Sequence, residues 1–310
     1  MWTYILKRLS KNLFLIKFLI SVLFVYILFS KFLQVSSFEA LSVLKPETIL
    51  VCLGLTLLSL IFKTQRWDAM IKMLGGKADF KNLVKLYAIG FYYGSISPGR
   101  AGEFVKGSRL LKNGLQTKQG MISILYERFY DIATPVAFIC IYYFFNAFLH
   151  EDAPSVLLLL SSYSISIVLW ISMVWVFQVF KNKIQFLKAV DDIPIETLLK
   201  HTFVPAAASI LNWLCLALTA YILLSAFGVN IAFSRVIFAV CIAILSLLFP
   251  LSINGWGIRE AAYVWALSPF SEPSVSIIFS ITFTLIGTYS LALIGLIFEL
   301  TTKSSGSPKC

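Results

Sequence analysis

Ser95-Ile96-Ser97-Pro98-Gly99-Arg100-Ala101-Gly102-Glu103 and Ser252-Ile253-Asn254-Gly255-Trp256-Gly257-Ile258-Arg259-Glu260 decide how this chain is read. The first closes an apolar run at 82–97 and leads into an amphipathic stretch ending near Leu111. The second follows an apolar run at 235–251 and leads into another ending near Leu267. Each unit is a helix, a Gly-rich break carrying charge, and a shorter helix. That pattern predicts a re-entrant hairpin or a broken helix. Such backbone is tolerated at membrane depth only when protein buries it or it lines a cavity.

The rest of the sequence supports a membrane setting. The chain has 310 residues, 59% of them apolar and only 13% charged, with a mean hydropathy of +0.85. A soluble domain carries about 25% charged residues. The longest polar interruptions, near 63–85, 100–120 and 181–201, suit loops and are too short for a nucleotide-binding or transferase domain. The net charge of +11 reads as cytoplasmic loop bias, not as a nucleic-acid surface. Cys52, Cys140, Cys215, Cys241 and Cys310 show no paired spacing, and His150 and His201 stand alone. No metal or cofactor is expected. Lys7, Arg8, Lys11 and Lys17 flank an apolar run to Leu33 with no small-residue cleavage site, the pattern of an uncleaved signal anchor.

Six segments are long enough to cross a bilayer, at roughly 20 residues per span: 13–33, 48–64, 121–148, 155–180, 202–227 and 273–300. With the amino terminus in the cytoplasm and each hairpin returning to its starting side, most basic residues fall inside. These include Lys63, Arg66, Lys72, Lys77, Lys81 and Lys85, then Lys112 and Lys118, and Lys181, Lys183, Lys188 and Lys200. Only Lys31, Lys45 and Arg235 fall outside. Both termini are therefore expected in the cytoplasm. Eight full crossings would leave the loop sides unchanged, so charge does not separate re-entrant hairpins from complete spans. The two halves, 1–150 and 151–310, each read span, span, hairpin, span, and the breaks lie 157 residues apart. Three full spans per half invert the second half relative to the first. The expected fold is an all-α integral membrane protein of two inverted repeats, about six transmembrane helices plus two re-entrant helical hairpins. Broken helices meeting near the midplane are a common way to build a transport site. Chance similarity between two Gly-rich turns is the competing account.

The breaks concentrate anion-binding chemistry. Ser97 can cap, and Pro98 suits a first helical turn. Gly99 and Gly102 permit close backbone approach, and Arg100 supplies a planar fork suited to phosphate. In the second break Asn254 is the expected cap, Gly255 and Gly257 take the glycine roles, and Arg259 supplies the fork. Helix amino termini pointing inward would add partial positive charge. Glu103 and Glu260 admit two readings: carboxylates that stabilise a helix end and pair with arginine, or groups that couple protons and compete with substrate. Glu127, Arg128 and Asp131 share helical spacing and are either functional charges inside a span or interfacial ones if the span begins nearer 133. Lys106, Arg109 and Lys112 form a three-residue stripe that either draws anionic lipid or snorkels at an ordinary interface. Lys63, Arg66 and Trp67 close the second span and read as an interfacial anchor.

Those same residues carry a family resemblance. Ser97-Pro98-Gly99-Arg100-Ala101-Gly102-Glu103, Glu127-Arg128 with Asp131, and Pro250-x-Ser252-x-Asn254-Gly255-x-Gly257-x-Arg259-Glu260 resemble the lysylphosphatidylglycerol synthase transmembrane-domain (flippase-like domain) family. Arg66-Trp67 is similar to the end of that family's second span. The likeness covers nearly the whole chain and is most specific at the second break. In the multiple peptide resistance factor such a domain precedes an aminoacyl transferase and moves aminoacylated phosphatidylglycerol between leaflets. Other members stand alone or accompany glycosyltransferases of envelope assembly. The resemblance implies a stand-alone member without lysyl transfer.

The expected function is translocation of an anionic lipid, a phospholipid or a polyprenyl-phosphate-linked glycan, across the cytoplasmic membrane. Arg100 and Arg259 would engage phosphate, while Glu103, Glu260, Glu127, Arg128 and Asp131 gate the cavity or couple it to protons. A glycosyltransferase or other envelope-biosynthesis enzyme is the expected protein partner. Two alternatives stay open: an accessory subunit or enzyme of glycosyltransfer, and a secondary transporter of a small anion. The sequence does not fix an oligomeric state.

Overall fold

A computed structural model describes residues 41–110, 117–149, 203–248 and 253–304, with residues 23, 26–27 and 30–32 of an earlier helical stretch. Most of the expected span at 13–33, the signal-anchor flank, the span at 155–180, the loop at 181–201 and the His150-Glu151-Asp152 segment lie outside the described residues. Among the described residues every regular element is helical.

The helices are α1 (Pro46–Met73), α2 (Phe80–Ser95), α3 (Phe104–Ser108), α4 (Thr117–Leu149), α5 (Phe203–Ala226), α6 (Phe233–Leu245), α7 (Ile258–Leu267), α8 (Pro273–Thr284) and α9 (Ser290–Ser304). Short 3₁₀ turns at Pro98–Glu103, Ser246–Leu248 and Ile253–Gly255 and a π turn at Leu285–Tyr289 join some of them. Pro46 opens α1 where its missing N–H costs nothing. Gly75 closes it at φ 80°, with Gly76 N–H bonding Ile71 O at 2.9 Å and Gly75 N–H bonding Lys72 O at 3.0 Å. This paired closure needs a left-handed residue just past the helix, and Gly228 closes α5 the same way. Among the described residues, three helical stretches, Pro46–Met73, Phe203–Ala226 and Pro273–Thr302, are long and apolar enough to cross a membrane.

Two lengths depart from expectation. The span expected at 48–64 continues to Met73, because Arg66 finds carboxylates inside the fold and has no need of the interface. The second arm of the first break is a 3₁₀ turn plus a five-residue helix, not one helix to Leu111. Cys52, Cys140, Cys215 and Cys241 are unbridged and buried, as small core residues.

The chain divides into two compact units, one of residues 1–56, 88–103 and 218–310, the other of residues 57–87 and 104–217. In the first unit α7 packs on α6 and α8, and the Pro98–Glu103 turn packs against the Ile253–Gly255 turn. Gly295 of α9 lies so close to α2 that a Cβ there would stand 2.0 Å from Ala88 O. In the second unit α3 packs against α4. Gly107 and Gly120 make this approach possible, since a Cβ on either would fall within 2.8 Å of the other's carbonyl oxygen.

Candidate functional site

In the first unit the two breaks meet, and each holds an arginine beside a glutamate. Ser97 closes the turn in place of capping a helix, its Oγ accepting the Gly102 N–H five residues on at 2.6 Å. Gly99 lies in the same turn. Arg100 adopts φ 57°, its Nε lies 2.7 Å from Glu103 Oε1, and its guanidinium stands 5.0 Å from the Phe91 ring centroid. Gly102 and Gly94 are spacers: a Cβ on Gly102 would lie 2.1 Å from Tyr93 O, and one on Gly94 2.7 Å from Glu103 Cγ.

The second break closes more tightly. Asn254, Gly255 and Gly257 adopt φ values of 50°, 76° and 89°. Asn254 does not cap α7; Gly257 occupies that position, and its N–H donates to Glu260 Oε2 at 2.6 Å. The carboxylate thus takes the role expected of the asparagine, because Asn254 is turned toward Tyr289. Arg259 donates from Nε (3.2 Å) and Nη2 (2.9 Å) to Glu260 Oε1, which also accepts from Ser280 Oγ at 3.0 Å. Arg259 is 4% and Glu260 1% exposed. Buried charges require such partners, so the helix end and half of the fork are closed on a neighbouring carboxylate. Beyond them, Tyr289 of the π turn accepts from Trp256 Nε1 at 3.0 Å and Asn254 Nδ2 at 3.4 Å.

The second unit carries a buried ionic cluster. Arg66 Nη2 reaches Asp131 Oδ1 at 2.7 Å and Glu127 Oε1 at 3.3 Å, and Nη1 donates to Ser209 Oγ at 3.2 Å. Glu127 also accepts from Lys106 Nζ and from the Tyr87 hydroxyl. Lys106 Nζ stands 3.7 Å from the Tyr87 ring centroid and 5.1 Å from that of Trp67. Arg128 reaches Asp131 Oδ2 at 3.2 Å, and Thr134 Oγ1 pairs with Ser209 Oγ at 2.8 Å. Because α4 begins at Thr117, the acidic pair lies inside the helix, not at its mouth.

Two expectations change here. Arg66 and Trp67 are fully buried, so they are not an interfacial anchor. Lys106 is 1% exposed and held by Glu127, so it offers no open stripe to lipid; Arg109 remains partly exposed. Sequence reasoning missed Tyr87, Ser209, Ser280, Tyr289 and Glu299. Glu299 is 3% exposed and accepts the Tyr93 hydroxyl at 3.0 Å. A single carboxylate within an apolar helix was the signal for it. The other four carry uncharged side chains, and no spacing rule marks them. Among the described residues no group of His, Cys, Asp and Glu is placed to hold a metal.

The model of the family described as the lysylphosphatidylglycerol synthase TM region covers residues 14–295. No curated protein matches the sequence.

Proposed function

The chain belongs to the lysylphosphatidylglycerol synthase TM region family, and from that premise we propose that it moves an anionic lipid between the leaflets of the cytoplasmic membrane. Membership places the protein in the membrane and in lipid or envelope biology. The cargo on this reading is a phospholipid or a polyprenyl-phosphate-linked glycan, with Arg100 and Arg259 engaging its phosphate. Both termini face the cytoplasm, and 1–150 and 151–310 act as inverted halves. Glu103 and Glu260 are the resting partners that substrate competes with, and the Glu127, Arg128 and Asp131 cluster gates or couples to protons.

One observation carries the proposal. The Pro98–Glu103 turn, which holds the Arg100–Glu103 pair, packs in one compact unit against the Ile253–Gly255 turn, which precedes the Arg259–Glu260 pair. Irregular backbone and buried charge are both costly in a bilayer. Bringing two such breaks together is what an anion path requires and what a purely structural helix bundle avoids.

The test is a lipid-scrambling assay on protein reconstituted in vesicles, comparing wild type with the double variant Arg259→Gln, Glu260→Gln. Removing both charges together leaves no stranded ion, and glutamine at 260 still offers an oxygen to the Gly257 N–H and an amide N–H that the Ser280 hydroxyl oxygen can accept. Phosphate binding by Arg259 leaves the double variant inactive. Preserved scrambling in a folded double variant shows that the arginine only neutralises its glutamate.

A further inference from the structure

Trp256 stands between two hydrogen-bond donors that are not fully used. On one side, the Arg259 guanidinium carbon lies 5.5 Å from the indole centroid. Nε and Nη2 are committed to Glu260, and these are the bonds that Arg259 makes among the described residues, leaving Nη1 outside them. On the other side, the indole N–H itself donates to the Tyr289 hydroxyl at 3.0 Å, as does Asn254 Nδ2 at 3.4 Å. A phenolic oxygen has two lone pairs and one hydrogen. Both lone pairs of Tyr289 are therefore occupied, and its hydrogen finds no acceptor among the described residues. Accepting two hydrogen bonds polarises the O–H and strengthens it as a donor.

Tyr289 reaches this place through an unusual backbone. It is the last residue of the π turn Leu285–Tyr289, in a helical stretch otherwise regular from Pro273 to Ser304. An inserted residue of this kind rotates the following side chains and is found mostly at functional sites. It also weakens the helix, so a purely structural tyrosine is a poor reason to keep it. Tyr289 is partly exposed and bonded to Asn254, which belongs to the turn that packs on the first break.

We propose that Tyr289 donates its hydroxyl to an anionic oxygen of the ligand beside Arg259 Nη1, making it a substrate-contacting residue of the second break. The inference rests on the anionic-headgroup reading above and deepens it. A guanidinium N–H and a phenolic O–H flanking one indole suit a phosphate oxygen, whether on a lipid headgroup or on free phosphate.

The experiment compares wild type, Tyr289→Phe and the exposed-surface control Trp265→Phe in vesicles with increasing fractions of phosphatidylglycerol in phosphatidylcholine. Tyr289→Phe removes one oxygen and keeps the ring. A lost hydrogen bond to a charged group is expected to raise the half-saturating anionic-lipid fraction on the order of tenfold, with Trp265→Phe unchanged. A merely structural tyrosine instead lowers the maximal rate and the thermal midpoint while leaving the lipid dependence alone, and that result overturns the inference. Radiolabelled inorganic phosphate forms the second arm. Tyrosine-dependent phosphate uptake without lipid movement assigns the same contact to free phosphate and refutes the lipid reading. A wild type that moves neither ligand overturns both readings. An active wild type matched by Tyr289→Phe overturns the inference alone.

Discussion

Glu127 accepts from Arg66, Lys106 and Tyr87 at once, so its removal strands the buried Lys106 and leaves Arg66 with Asp131 as its carboxylate partner. Breaking a buried pair costs about 3–5 kcal/mol because the remaining charge has nowhere to go. Glu127→Ala is therefore expected to lower the thermal midpoint in detergent far more than Lys106→Met, which leaves Glu127 with Arg66 and Tyr87. Equal losses would show that Lys106 is the sole partner that matters. At the second break, Arg259→Lys is expected to weaken anionic-lipid binding by about 1.5–3 kcal/mol, roughly ten- to a hundredfold. Lysine keeps the charge and loses the planar fork. Lys77→Arg and Lys81→Arg are expected to leave the same scrambling assay unchanged. The sequence exposes the charged residues themselves, because a bilayer protein has few of them. It hides their pairing: Arg66 meets carboxylates 61 and 65 positions away, and no local periodicity joins them.

At the scale of elements, close approach is the deciding constraint. Gly295 lies against backbone of α2, where a Cβ would stand 2.0 Å from Ala88 O; backbone cannot step aside as a side-chain end can. Gly54, also within a helix, has nothing within 4 Å of a built Cβ. Gly295→Ala is expected to abolish stable folding, whereas Gly54→Ala is neutral or stabilising by up to about 1 kcal/mol through helix propensity. Yields of monodisperse protein after detergent extraction compare the two directly. The breaks themselves were legible, since Pro98, Gly99, Gly102, Gly255 and Gly257 punctuate otherwise apolar runs. Arm lengths were not, because Ser97 and Pro98 read as the start of a helix, whereas Pro98–Glu103 form a 3₁₀ turn and the helix after it has only five residues. The π turn at Leu285–Tyr289 was invisible for a related reason. One extra residue in a turn alters no composition, and packing alone decides where it settles.

For the whole molecule, an all-helical membrane architecture was readable from hydropathy, while the number of crossings and the inverted relation of the halves rest on charge bias and pattern. Cysteine labelling on a cysteine-free background tests the orientation. Probes at 150–153 are expected to react from the periplasm, and reaction at 181–200 instead would reverse the topology. The pairing of Arg66 with Glu127 and Asp131 bears, finally, on how the polypeptide is made. Arg66 leaves the ribosome some 60 residues before its acidic partners, so the carboxylates arrive at a cation already waiting in the translocon's vicinity. Taking an ion out of water alone costs several kcal/mol. A nascent chain lacking Arg66 brings Glu127 and Asp131 into the fold with only Lys106 and Arg128 to balance them, and its yield of integrated protein is expected to fall.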